Sequence, residues 1–322
     1  MATPPDIDPA APLRFILNGH SGSQDGVGTR EAIESTLKSA GRTGELIYCQ
    51  PGELSLVTAR VARQALAERS AIVAVGGDGT INAVAQAAHA TGCALGVIPR
   101  GTFNYFARTH GLPLDVAGAT SQLLSAKPVP VQVGAINDQV FLVNASVGLY
   151  PQLLEDREAW KSRFGRNRLV ALGAAFATLM RTPNRLKLSI ELDGVTRELR
   201  TLTLFVGNNR LQLEQVGVAE PLPGVAPRDN GRVTAVVLKP IGTLGMLGLM
   251  ARGALGSLGD ADGIEHFEFD QMVVKPPRVM RLRRMKVAFD GEVTRMKPPL
   301  LFRVMPEPLY LLKSASAPED AA

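Results

Sequence analysis

Over roughly the first 130 residues, short apolar runs alternate with stretches in which apolar residues recur every three to four positions. The runs are residues 13–17 (LRFIL), 46–49 (LIYC), 71–75 (AIVAV) and 94–98 (ALGVI). The helical pattern covers residues 29–40 and 54–69, and it returns after the third run, where Ile81, Val84, Ala85 and Ala88 share a face. Residues 71–75 contain nothing polar, as expected of a strand buried on both faces. Strands and helices joined by short connections predict a parallel α/β sheet. From about residue 130 the period shortens to two, in VQVGAIN, VFLVNASV, RLKLSIELDGVTRELRTLTLFVGNN, GRVTAVVLK, MRLRRMKVAFDGEVTRM and LLFRVMP. This half predicts an antiparallel β-sandwich or barrel, interrupted by helices over 168–181 and about 242–258. The second of these is apolar and glycine-rich and reads as a core helix.

Composition narrows the picture. A chain of 322 residues, 45% hydrophobic and 20% charged, fits two well-packed domains. Aromatics at 5% are too sparse for the stacking platforms of single-stranded nucleic-acid binding, so no nucleic-acid partner is expected. The two cysteines, Cys49 and Cys93, lack metal-ligand spacing. Residues 1–11 are rich in proline and alanine and read as a disordered tail without an apolar signal core, which fits a cytoplasmic chain. The +5 net charge lies wholly in residues 131–322. Seven Lys/Arg and no acid occupy residues 159–190, and six more without an acid occupy residues 275–286. Such clusters are either a solvated face or a contact for an anionic membrane surface.

Three loops at the C-terminal ends of predicted strands carry candidate chemistry. The first holds Asn18, Ser21 and Gly22. The second is Gly76-Gly77-Asp78-Gly79-Thr80 followed by Asn82, and the third contains Gly101, Thr102 and Asn104. A glycine loop opening a helix lets backbone N–H groups approach an anion, which the helix dipole also favours. This loop has no lysine and so is not the common P-loop; its aspartate suits Mg²⁺ or ordered water on bound phosphates. Three such loops along one edge of an open sheet predict a nucleotide site. Near the end, Asp290-Gly291 followed by Glu292 is a strong signal for a tight hairpin turn, as is Asp193-Gly194.

Taken in order, residues 76–80, Gly101-Thr102-x-Asn104, the asparagine loop and Asp290-Gly291-Glu292 resemble the diacylglycerol kinase catalytic family, from about Leu13 to Leu312. That family includes sphingosine, ceramide and bacterial lipid kinases. The resemblance implies an α/β nucleotide domain similar to those of NAD kinase and phosphofructokinase, over 12–129 with 300–313 returning to it. It also implies a β-sandwich lipid-substrate domain over 130–299. ATP and Mg²⁺ are the implied cofactors, with Asp78 as catalytic and metal-binding acid and Asp290 and Glu292 as the acidic pair at the reacting hydroxyl. The expected partner is a membrane lipid, diacylglycerol-like, met by an enzyme peripheral to the inner membrane face; a homodimer is left open.

Four positions depart from the family pattern. Tyr105 stands where an aspartate usually follows the asparagine, Tyr48 where a threonine is expected, and Gly19 where proline is preferred. Asp229-Asn230-Gly231 reverses the Asn-Asp-Gly of a structural Mg²⁺ site, so Asp229 is the candidate ligand there. The alternatives are an enzyme like NAD kinase, which lacks support because no Asn-Glu pair follows the glycine loop's helices, and a catalytically weak nucleotide- or lipid-binding regulator.

Overall fold

The computed structural model describes residues 3–18, 24–50, 52–149, 151–152, 154, 186–192, 194–208, 231–240, 263–277 and 283–314. It divides into two units, residues 1–133 with 305–322, and residues 134–304.

The first unit contains β1 (Leu13–Asn18), α1 (Gln24–Ser39), β2 (Gly44–Cys49), α2 (Leu54–Ala67), β3 (Ala71–Gly76), α3 (Asp78–Thr91) and β4 (Ala94–Pro99). After them come α4 (Tyr105–Thr109), α5 (Val116–Ser125) and β5 (Lys127–Val131). One sheet runs in the order β2-β1-β3-β4, extended by β18 (Leu309–Lys313) and then β5. β1 through β4 pair in parallel, β18 joins β4 in parallel, and β5 closes the edge antiparallel to β18. β3 and β4 are buried along their whole length, as expected of central strands covered on both faces. α2 and α3 pack together, as do α1 and α5. Ile33 and Leu37 of α1 and Ala119 and Leu123 of α5 join Phe15, Val73 and Ile98 in one apolar cluster. Removing a ring such as that of Phe15, fully buried there, costs about 3–5 kcal/mol.

Several elements differ from the sequence expectation. α1 starts at Gln24 rather than residue 29, so its first turn contains Gly26 and Thr29 lies buried inside the helix. Docking of Ile33 and Leu37 outweighs the roughly 1 kcal/mol that each helical glycine costs. α5 presents Val116, Ala119, Thr120 and Leu123 at helical spacing, and Asp115 fixes its start by accepting the Gly118 N–H at 2.7 Å. The residues expected to form a disordered tail are tied down: the Asp8 N–H donates to the Arg69 carbonyl, Asp6 pairs with Arg69, and the Ser70 hydroxyl donates to the Pro12 carbonyl. The chain's return to this sheet begins at residue 305 rather than 300. His89 of α3 contacts the Glu307 carbonyl at 2.9 Å along that return.

Among the described residues, the second unit holds two six-stranded sheets. The first orders β10 (Val195–Thr201), β9 (Leu186–Leu192), β14 (Gln271–Lys275), β17 (Leu300–Val304), β6 (Gly134–Ile136) and β7 (Gln139–Phe141). The other orders β13 (Ile264–Phe269), β12 (Val233–Leu238), β11 (Thr203–Gly207), β8 (Asn144–Gly148), β15 (Met285–Phe289) and β16 (Glu292–Met296). All pairings are antiparallel. β12 alternates buried and half-buried positions in strict period two. The inward residues of both sheets, among them Leu188, Met272 and Phe302 on one side and Leu204, Val237 and Val287 on the other, form a single core. That is a β-sandwich. β17 pairs with β14 and β6, which is why residues 300–304 stay in this unit. The helices expected over 168–181 and 242–258, and Asp229, lie outside the described residues.

Candidate active site

In the order β2-β1-β3-β4 the chain moves outward from β1 to β2, then crosses back to place β3 on β1's other side. The crevice outside the carboxyl ends of β1 and β3 is therefore the switch point at which open α/β sheets bind ligands. Asn18 ends β1 and Gly76 ends β3. Ser21 and Gly22 fall outside the described residues.

The loops after β3 and β4 are bound to each other. Gly76 and Pro99 are register partners, and the Arg100 N–H donates to the Gly76 carbonyl at 2.7 Å. Asn104, in the left-handed conformation at φ +52°, accepts the Gly101 N–H at 2.8 Å and returns its own amide to the Gly101 carbonyl at 3.0 Å. A Cβ on Gly101 would stand 3.0 Å from the Gly77 Cα and 2.8 Å from the Asn104 Oδ1. Glycine is required there because two backbones touch. Asn104, expected as a nucleotide contact, thus spends its side chain on holding its own loop. Thr80 packs over Gly76, where any Cβ would meet it at 2.6 Å, and Asn82 is buried; Thr102 is exposed.

α3 begins at Asp78 behind Gly77, with no side chain capping its first turn. Its leading N–H groups therefore remain without a capping side chain, as in an anion site. Asp78 is turned toward the start of α4. Burial raises its pKa, and the backbone N–H groups of Phe106, Asn104 and Tyr105 offset that only in part. Among the described residues, its buried Oδ1 has no hydrogen-bond partner. A buried carboxylate oxygen left in this way costs stability unless something meets it. Beside it, exposed Phe103 stacks on Tyr105 with ring centroids 5.5 Å apart and planes 7° apart. Tyr48, at the carboxyl end of β2, is also exposed.

In the second unit, Asp290 and Gly291 form the two-residue turn between β15 and β16. Phe289 pairs with Glu292, and the turn residues have φ of +45° and +87°. Those angles are the type I′ turn that the Asp-Gly pair predicts. The Asp290 carboxylate faces inward. Its Oδ2 accepts the Leu142 N–H at 2.7 Å, and its Oδ1 accepts those of Val143 and Asn144 at 2.8 and 3.0 Å. Its own N–H donates to the Asn144 carbonyl, and the Asn208 amide donates to the Leu142 carbonyl in the same knot. Asp290 is 6% exposed. The resemblance implies two acids side by side at a hydroxyl; in the structure Asp290 is a backbone anchor. Nothing in the spacing of the sequence announces the Leu142, Val143 and Asn144 amides that claim it. Glu292, one residue beyond the turn, is exposed to solvent; surrounding protein still desolvates its carboxyl enough to raise its pKa.

Among the described residues, no cluster of three or more acids, histidines or cysteines could hold a metal by itself. Cys49 and Cys93 are buried free thiols, and burial pushes Cys93 up to about 11. No helix among the described residues is long and apolar enough to cross a membrane.

Residues 12–136 match the diacylglycerol kinase catalytic domain. A Staphylococcus epidermidis protein named "Putative lipid kinase" is 29% identical over 242 residues, 74% of this chain and 75% of that one. A Pseudomonas putida protein named "Probable lipid kinase YegS-like" is 34% identical over 185 residues, 55% of this chain and 59% of that one. In fold, a Bacillus anthracis crystal structure described as a "putative diacylglycerol kinase" superposes with a TM-score of 0.69 at 20% identity. That superposition covers 94% of this chain and 97% of the other. The matched span contains Asn18 at the end of β1 and the loops at residues 76–80 and 101–104, and over it the chain is similar to the diacylglycerol kinase catalytic domain.

Proposed function

We propose that the protein is an ATP-dependent lipid kinase that moves the γ-phosphate of ATP to a hydroxyl of a membrane lipid, diacylglycerol-like. The observation that carries this reading is the pair of interlocked glycine loops at the switch point, with the uncapped start of α3 and the unpartnered Oδ1 of Asp78. Backbone N–H groups and a helix N-terminus suit phosphate oxygens. A lone buried carboxylate oxygen suits a Mg²⁺ that arrives on the nucleotide. Mg²⁺ keeps several waters and is commonly held by one or two carboxylates plus substrate phosphates. The absence of a three-ligand cluster among the described residues is consistent with that division. When bound, the ion would offset charge on the transferring phosphoryl oxygens.

The protein's own part is positioning and proton transfer. The Arg100 N–H ties the two glycine loops together and Asn104 braces the second of them, so the phosphate site is preorganised. Glu292 serves as the general base. Its desolvated carboxyl has a raised pKa, closer to working pH, and a stronger base takes the hydroxyl proton more readily. Asp290 holds the turn that presents Glu292. The expected membrane contact is peripheral, through basic surface on an anionic leaflet.

The test is phosphate transfer from labelled ATP to diacylglycerol vesicles, compared with NAD and with no acceptor. Transfer to the lipid alone supports the reading. Transfer to NAD would favour the NAD kinase alternative, and no transfer at all would favour a binding protein.

A further inference from the structure

We propose that the open edge of the sandwich carries a second, non-catalytic site, in which Lys187 and Arg200 hold the phosphate of an anionic phospholipid headgroup. β10 and β13 are edge strands of the two sheets. A cavity of about 730 Å³ lies there, lined by Lys187, Arg197, Arg200 and Lys239 with two acids, Glu198 and Glu265. Its volume falls within the range of small-molecule pockets, about 300–1,000 Å³.

The charges in this cavity are unequally matched. Arg197 reaches Glu265 at 2.8 Å, with its guanidinium 6.0 Å from the centre of the Phe267 ring, and Lys239 stands 3.7 Å from the same carboxylate. Glu265, hydrogen-bonded by Arg197, has a lowered pKa. Those two cations share one acid. Lys187 and Arg200 are different. They are direct register partners across β9 and β10, flanking the buried pair Leu188 and Leu199, and both are exposed. Among the described residues neither makes an ion pair. Like charges directly opposite each other weaken a sheet. The pair therefore costs stability in the free protein, and an anion bridging both would return it. A guanidinium fork beside a mobile ammonium suits phosphate, which accepts from both.

The lipid source of that phosphate rests on the lipid-kinase reading; the anion chemistry does not. An enzyme whose substrate lies in a bilayer gains from a second hold on the same surface, since each cation near an anionic leaflet contributes roughly fivefold in binding.

The experiment is co-sedimentation of the full chain with phosphatidylcholine vesicles, with and without phosphatidylglycerol, at low and high salt. Wild type is compared with the double variant Lys187→Gln, Arg200→Gln and with Glu198→Gln. The proposal expects salt-sensitive binding to the phosphatidylglycerol vesicles. It expects that binding to fall about 30-fold in the double variant and to tighten severalfold in Glu198→Gln. Transfer to detergent-dispersed lipid should stay unchanged in all three, which keeps failure here separate from failure of the kinase reading. Equal vesicle binding by wild type and double variant overturns the proposal. So does thermal stabilisation of wild type by inorganic phosphate, lost in the double variant, without any difference on vesicles, because the site would then take free phosphate.

Discussion

Asp290 accepts the Val143 N–H at 2.8 Å although 147 positions separate the two residues along the chain. The same carboxylate binds the amides on either side, so the tip of one hairpin is fastened to the start of β8. An aspartate in a hairpin turn is ordinarily a local device. Here it is a long-range one, and its neighbour Glu292 is left free to act.

Asp290→Ala should therefore destabilise the protein by about 3 kcal/mol, because three amide donors in the interior lose a charged partner and alanine is strained at positive φ. In a unit of this size that is a fall of roughly 6–12 °C in melting temperature. Asp290→Asn, which tolerates the same φ and keeps one acceptor oxygen, should lose less. If both variants melt with wild type while turnover collapses, Asp290 belongs at the reacting hydroxyl after all.

Asp78→Asn separates ligand from fold in the first unit. Burial raises the pKa of this acid, so its ionised form is held at a cost in the ligand-free protein. The amide should leave the ligand-free melting temperature unchanged or higher. It should also abolish the extra stabilisation that Mg²⁺ adds to ATP. Calorimetry with ATP in EDTA and in Mg²⁺ gives both numbers, and a variant that keeps the Mg²⁺ increment would remove Asp78 from the metal's coordination.

Gly101→Ala tests the contact between the loops. The added methyl would sit 3.0 Å from the Gly77 Cα. Overpacking of that kind costs about 1–3 kcal/mol. Equilibrium unfolding should show a loss of that order, and titration should show weaker ATP binding. Unchanged values for both would mean that the two loops separate freely.

His110 lies edge-on to the Phe106 ring, with centroids 4.6 Å apart. Burial, with the nearby Lys313 charge adding to it, lowers its pKa from 6.5 to about 3. Below 6.5 the unfolded chain binds a proton that the folded one refuses, so stability is full above that pH and is lost as pH falls toward 3. Thermal melts between pH 7 and pH 4 should decline more steeply for wild type than for His110→Gln. Parallel curves would show that His110 takes no part in the acid sensitivity.

What the sequence made legible follows from where its signals are local. The apolar run at residues 71–75, the glycines behind it and the Asp290-Gly291 turn each specify their conformation within a few residues, and each appears where expected. The first turn of α1 carries no apolar signal, since it contains Gly26 and exposed Val27 while the buried positions Ile33 and Leu37 lie further along the helix. The resemblance places Asp290 at the chemistry, whereas its partners at Leu142, Val143 and Asn144 are backbone amides, which carry no sequence signature. The opposed Lys187 and Arg200 become visible only with the register of β9 and β10, in which Val195 pairs with Leu192.

The account's central claim is that Glu292 takes the proton from the lipid hydroxyl. Glu292→Gln keeps the shape of the side chain and removes its charge. Steady-state turnover with saturating Mg²⁺-ATP and dispersed diacylglycerol, followed across pH, is the direct measurement. Wild type should show an acid limb above the ordinary glutamate value of 4.5, because desolvation raises this carboxyl. The variant should lose about 10²–10⁴-fold in turnover along with that limb, at unchanged melting temperature and ATP affinity. Turnover within a few-fold of wild type, with the acid limb intact, would contradict the claim.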